Sequence, residues 1–239
     1  MIEHYQRPGF TFKQFHVAHE QTAMKVGTDG ILLGAWLNLE GAKQILDVGT
    51  GTGLISLIMA QRSAGNAKID AIDLEPDACQ QARDNVLHSP WPQAIQVHQC
   101  SMQQYSSTHR YDLVVSNPPY FPAGQSFEQK RQQARHSGTL SAAEFFLALP
   151  QLCHQGSAVA LILPCDVAAQ WINQAAQQQW YLVHRVQVQS LANKPAIRCL
   201  LRFERQPSPC VEEQLVIYQQ DRSYSLDYIK LCEDLYLKM

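Results

Sequence analysis

The run Ile45-Leu46-Asp47-Val48-Gly49-Thr50-Gly51-Thr52-Gly53 constrains this chain more than any other stretch. A short apolar segment runs straight into three alternating glycines, and the helical apolar spacing of Leu54 to Arg62 starts at once. A strand that ends in a glycine turn and feeds a helix opens a βα unit. The alternation then continues. Strand-like segments fall at 43–48, 67–73, 95–100, 111–116 and 158–163, and helix-like segments at 54–62, 76–88, about 142–153 and 166–179. Pro76 sits in the first turn of its helix, and Ser141-x-x-Glu144 reads as a capping box. Two more strands, 181–189 and 197–203, are joined by a loop too short for a crossover helix, so they are expected to be antiparallel. The predicted class is α/β, with a mostly parallel seven-stranded sheet, an antiparallel last strand and helices on both faces. Ligands of such sheets sit at the carboxyl ends of the strands, here just after Val48, Asp73, Cys100 and Ser116.

Composition narrows the class further. With 46% hydrophobic and 17% charged residues, the chain can bury a large core and is not disordered. Its 239 residues suit one domain, divided into an N-terminal cap segment (1–40), a core (41–205) and a C-terminal appendage (206–239) that follows Gln206-Pro207-Ser208-Pro209. No apolar run is long enough to span a membrane, and the N-terminus lacks the pattern of a signal peptide, so a cytoplasmic monomer is expected. The seven cysteines are scattered without a C-x-x-C and read as reduced thiols. His16 and His19 have no companions at ligand spacing, so no metal is expected. A net charge of −2 excludes a globally basic nucleic-acid binder but leaves room for a local patch.

The glycine loop lets backbone approach a ligand with no Cβ in the way, and the helix that follows offers unpaired N–H groups. Alone, such a loop is weak evidence, because glycine-rich turns often serve only packing. Leu54 follows Gly53, so the dinucleotide pattern G-x-G-x-x-G is not met. Asp47 would repel a pyrophosphate but suits a cation, such as a sulfonium that also carries an ammonium group. Asp73 ends the next strand, where a carboxylate accepts hydrogen bonds from ribose hydroxyls, although alone it also reads as a helix cap before Glu75-Pro76. Gly49, Gly51, Gly53, Asp47, Asp73 and the adjoining Leu74 together resemble the S-adenosylmethionine site of Rossmann-like class I methyltransferases. After the third strand stand Ser101 and Met102. Methyltransferases of that class usually carry Asp near this point for the adenine amine, and the Ser101 hydroxyl is a weaker acceptor.

The most specific motif is Asn117-Pro118-Pro119-Tyr120. Two prolines stiffen the backbone and remove two N–H donors, so the carbonyls of Asn117 and Pro118 can be aimed into a cleft. An amide or exocyclic NH₂ is a poor nucleophile. Asn117 and the Pro118 carbonyl can each accept one of its N–H bonds and orient it for in-line transfer, while Tyr120 offers a ring on which a flipped-out base stacks. The motif resembles that of amino-methyltransferases acting on adenine N6, guanine N2 or glutamine amides, and does not choose among them.

Two N-terminal stretches sharpen the resemblance. Phe10, Phe12 and Phe15 read equally as a hydrophobic latch. In Met24 to Trp36, Thr28 and Asp29 look like caps for a helix over 31–39, and Lys25, Thr28 and Gly30 are placed to close over a cofactor. With the glycine loop, the Asn-Pro-Pro-Tyr motif and the ending Tyr224 to Met239, these stretches are similar over nearly the whole chain to the tRNA1(Val) (adenine(37)-N6)-methyltransferase family. That resemblance implies S-adenosylmethionine as donor and the anticodon stem-loop of a valine tRNA as partner. RNA then needs local positive charge, and Lys130, Arg131, Arg135, Lys194 and Arg198 are the candidates, although such a loop is often only a solvated surface. The competing readings are methylation of rRNA guanine N2 or protein glutamine, and a non-catalytic RNA- or adenosylmethionine-binding module.

Overall fold

The computed structural model describes residues 7–22, 25–119 and 140–239. The chain opens with a hairpin, β1 (Gly9–Thr11) and β2 (His16–Ala18), followed by α1 (Thr28–Trp36). Then come β3 (Gln44–Val48), α2 (Leu54–Arg62), β4 (Lys68–Asp73), α3 (Pro76–Leu87), β5 (Ile95–Gln99) and β6 (Tyr111–Ser116). Beyond residue 140 lie α4 (Ala142–Leu152), β7 (Cys153–Pro164), α5 (Cys165–Gln177), β8 (Tyr181–Leu191), β9 (Ala196–Glu204), β10 (Val211–Tyr218) and α6 (Leu226–Cys232).

The sheet order is β10-β8-β9-β7-β6-β3-β4-β5, and only β9 runs antiparallel to its neighbours. The mostly parallel α/β sheet is therefore as expected, with one correction. The strands number eight, because β10 adds to the edge beside β8 from within the stretch expected as an appendage. Its first four residues are exposed and only Leu215 and Ile217 are buried, so it lacks the apolar run of an inner strand.

Side chains alternate across the central strands and split the core in two. Ile45, Leu113, Val115, Ala158 and Ala160 face α1, α2, α6 and the hairpin. Leu46, Val48, Val114, Val159 and Leu161 face α4 and α5, where Phe145, Phe146 and Trp171 pack edge to face or tilted. Helix α4 opens with the expected capping box, Ser141 Oγ accepting from Glu144 N and Glu144 Oε2 from Ser141 N. Helix α1 is a second correction. It starts at Thr28 after an extended Gly27, so Thr28 and Asp29 lie inside its first turn and do not cap it.

The phenylalanine latch is present. Phe12 and Phe15 are fully buried and stack at 4.6 Å. The hairpin is pinned to the C-terminal stretch by Lys13 N donating to Leu235 O at 2.8 Å, by a Phe12–Tyr236 bridge and by Phe10 edge-on to Tyr236.

Candidate active site

Strand β3 neighbours both β4 and β6, so the chain winds away from it in opposite directions and leaves a crevice above its carboxyl end. The glycine loop fills the floor of that crevice. Gly49 and Gly51 have φ of 73° and 56°, which glycine adopts at little cost. A Cβ on either would meet no atom within 4 Å, so bare backbone faces open space. The loop is clamped to β4 by Gly49 N and Thr50 N, which donate to Ile72 O at 2.9 and 3.1 Å.

Asp47 lies behind this loop. It is fully buried, and its Oδ2 accepts from Thr50 Oγ1 at 2.8 Å and Ser56 Oγ at 2.7 Å, while Oδ1 has no partner. Burial pushes its carboxyl up to about 6, against the pull of the two hydroxyls. Asp47 and Gly53 do not line the cavity. Asp47 supports the loop from beneath, and Gly53 is the left-handed residue that starts α2.

The cavity above has a volume of about 720 Å³ and gathers residues from six segments. Gly49 and Gly51 come from the loop, Asp73 and Leu74 from the end of β4, Ser101 and Met102 from the turn after β5, and Asn117, Pro118 and Pro119 from the end of β6. Lys25, Thr28 and Gly30 close it from the N-terminal side. A Cβ on Gly30 would meet Leu54 Cδ2 at 2.9 Å and push that side chain aside. Asp73 accepts from Gly51 N at 2.8 Å through Oδ2 and from Glu75 N at 3.0 Å through Oδ1. Each oxygen keeps a lone pair for a ligand hydroxyl. The Ser101 turn is braced by Tyr105, whose N donates to Ser101 O and whose hydroxyl meets that of Tyr111 at 2.6 Å.

At the Asn117 end, Ser116 Oγ donates to Val48 O at 2.7 Å and ties β6 to the glycine loop. Asn117 lines the cavity, and its Oδ1 is buried with no hydrogen-bond partner. An acceptor in that state costs free energy unless a ligand donor supplies the missing bond.

Tyr120, Lys130, Arg131 and Arg135 lie outside the described residues. Lys194 is exposed at the β8–β9 turn. Arg198 Nε pairs with Asp29 Oδ2 at 2.7 Å, which joins β9 to the first turn of α1. Neither Lys194 nor Arg198 lines the cavity.

Sequence reasoning missed Gln21, Thr22 and Leu140, which line the cavity from irregular segments without motif signals. It also missed Asn85. This buried side chain accepts from Ala18 N at 3.0 Å and donates to Ala18 O and to Thr52 O, both at 2.9 Å. One amide thus joins the N-terminal segment to the glycine loop, and Gln81 Oε1, one turn earlier, accepts from Gln21 N. Among the described residues there is no cluster of three metal-ligating side chains and no helix long and apolar enough to cross a membrane.

Comparison with known proteins agrees with this geometry. A crystal structure of a predicted O-methyltransferase from Agrobacterium tumefaciens superposes with a TM-score of 0.68, covering 87% of this chain and 96% of its own, at 16% identity, a likeness of fold. The family model of the Methyltransferase small domain matches residues 18–137. A tRNA1(Val) (adenine(37)-N6)-methyltransferase of Aeromonas hydrophila is 45% identical over 97% of this chain and 98% of its own length. One of the same name from Pseudoalteromonas translucida is 47% identical over 97% and 99%. On these full-length matches, the chain belongs to the tRNA1(Val) (adenine(37)-N6)-methyltransferase family.

Proposed function

We propose that this protein transfers a methyl group from S-adenosylmethionine to N6 of adenine 37 in tRNA1(Val), in the cytoplasm. The observation that carries the chemistry is that Asn117, a residue lining the cavity, has a buried Oδ1 with no hydrogen-bond partner. The donor fits the chain's own groups. Bare glycine backbone borders the floor, Asp73 retains acceptor capacity for a ribose diol, and Ser101 and Met102 lie on the same wall of strand ends. Leu74 and Met102 offer apolar surface to an adenine, and Lys25, Thr28 and Gly30 border the cavity from α1 and the segment before it. The donor supplies an electrophilic methyl group on a sulfonium.

The work of the chain is then orientation. Asn117 Oδ1 and the Pro118 carbonyl accept the two N–H bonds of the adenine amine, and Pro118 and Pro119 hold that pair of acceptors stiff. Tyr120 stacks on the base, worth roughly 1–3 kcal/mol. Lys194, together with Lys130, Arg131 and Arg135, supplies charge for the RNA backbone, and Arg198 does so less directly because Asp29 holds it.

The test is methyl transfer from labelled donor to tRNA that lacks the modification, with the product nucleoside identified by mass spectrometry. Asn117→Ala should lose ~100-fold or more in turnover, the effect of misorienting the amine, with donor affinity intact. Wild-type protein that leaves adenine 37 of tRNA1(Val) unmodified defeats the assignment.

A further inference from the structure

The far end of the sheet carries its carboxyl edge well away from the catalytic loop. Ser116 pairs with Leu161, Leu161 with Leu201, Leu201 with Arg185 and Arg185 with Glu212, so Glu212 of β10 lies level with the end of β6. The strand continues to Tyr218, opposite Leu191 at the end of β8. Six residues of strand add roughly 20 Å along β10, and four strand spacings separate β10 from β6 by roughly 19 Å, each neighbour turned by roughly 20–25° from the last. The end of β10 therefore lies roughly 25–30 Å from the end of β6, and strands β8, β9 and β10 form a wall away from the cavity.

The top of this wall is a hydrogen-bonded turn that carries exposed Tyr218 and Arg222. Tyr218 and Tyr224 bridge across a tight turn closed by Gln219 N donating to Ser223 O at 2.8 Å and Arg222 N donating to Gln219 O at 3.0 Å. Asp221 Oδ1 accepts from Ser223 N and Ser223 Oγ and fixes the turn from within. The two tyrosine rings stack at 5.4 Å and 21°, Tyr224 is backed by Tyr228, and the outer ring of Tyr218 stays 37% exposed. Arg222 is exposed at φ 69°. Glycine or asparagine holds that conformation at lower cost, so closing the turn gives no reason for an arginine. What the position gains is a positive charge at the tip of the turn. Exposed Lys194 stands on the neighbouring β8–β9 turn, where Gln189 Nε2 donates to its carbonyl at 2.7 Å.

We propose that this wall top is a second RNA contact, with Tyr218 stacking an unpaired base and Arg222 and Lys194 engaging phosphates of the same tRNA whose adenine reaches Asn117. The inference rests on the proposed function and adds the surface that selects a folded RNA. A site this far from Asn117 is out of reach of a single nucleotide and within reach of a stem-loop, whose unpaired bases are open to aromatic stacking.

The test uses Arg222→Gly, Tyr218→Leu and Lys194→Gln in the full chain, with tRNA affinity measured across a salt series and donor affinity and thermal midpoint in parallel. Arg222→Gly relieves the strained backbone, so its midpoint should hold or rise while the salt slope falls by about one unit or slightly less. Tyr218→Leu should weaken tRNA binding roughly fivefold or more, as expected for one lost stack. Donor affinity should not change. Wild-type tRNA affinity and slope in all three variants overturns the inference while leaving the proposed function standing, provided the wild-type protein methylates tRNA. A wild-type protein inactive on tRNA overturns both.

Discussion

Asp47→Asn probes the foundation of the glycine loop. Burial raises the Asp47 carboxyl from 3.8 to about 6. That shift of about two units corresponds to about 3 kcal/mol, with no solvent screening to discount because the group is fully buried. The sign runs opposite to that of a salt-bridged aspartate. Between about pH 4 and 6 the native state holds this proton more tightly than the unfolded state does. The contribution of Asp47 to stability is thus fully present below the unfolded value and is lost as pH rises through about 6. At neutral pH the native protein carries an ionised carboxylate at a cost of about 3 kcal/mol. Asparagine keeps an oxygen for Thr50 and Ser56 and abolishes the charge. Its NH₂ takes the place of Oδ1, which has no partner, at a cost of about 1–3 kcal/mol. The variant should therefore match the wild type at neutral pH or exceed it by up to about 2 kcal/mol. Relative to wild type it should gain about 3 kcal/mol between pH 4 and 7. Urea unfolding at several pH values reads this difference directly. A cationic donor above the loop favours the ionised carboxylate, so wild-type donor affinity should also rise with pH through about 6, and the variant should lose that dependence. A stability difference that does not change with pH refutes the argument.

Three further predictions follow from the hydrogen bonds. Asp73→Ala removes a ligand for ribose and the acceptor of Gly51 N, so donor binding should weaken by ~1.5–3 kcal/mol in calorimetry, and unchanged affinity in a folded variant rules out the ribose role. Asn85→Ala strands Ala18 N, Ala18 O and Thr52 O, and should cost ~2–4 kcal/mol in denaturant unfolding together with a loss of donor affinity; a cost below ~1 kcal/mol means that water replaces the amide. Ser141→Ala removes the capping box of α4 at an exposed position and should cost ~1 kcal/mol, or a few degrees in thermal midpoint; an unchanged midpoint refutes the cap.

The parts of this protein that local chemistry dictates are legible in the sequence. The glycine loop, the carboxylate-ended strand at Asp73 and the rigid Asn117-Pro118-Pro119 stretch each need particular residue types in a fixed order, and the structure brings all three to one cavity. Inner parallel strands are read from unbroken apolar runs, and β6 lies where that pattern puts it. What stayed hidden depends on partners distant in the chain. Strand β10 is half polar because one edge faces solvent, so Val211-Glu212-Glu213-Gln214 carries no strand signature. Asn85 resembles any helical amide until Ala18 and Thr52 are placed beside it. Asp47 reads as a ligand for a cation because the sequence places it next to the loop, and only the fold puts it beneath.

The pinning of the first hairpin to Leu235 and Tyr236 sets the timetable of biosynthesis. Phe12 leaves the ribosome some two hundred residues before its aromatic neighbour Tyr236 is made, a wait on the order of ten seconds or more at ~5–20 residues per second. Through that interval Phe10, Phe12 and Phe15 have no finished core to enter. The nascent chain carries this aromatic segment without its partner, and the hairpin closes onto Leu235 and Tyr236 only once translation has passed them.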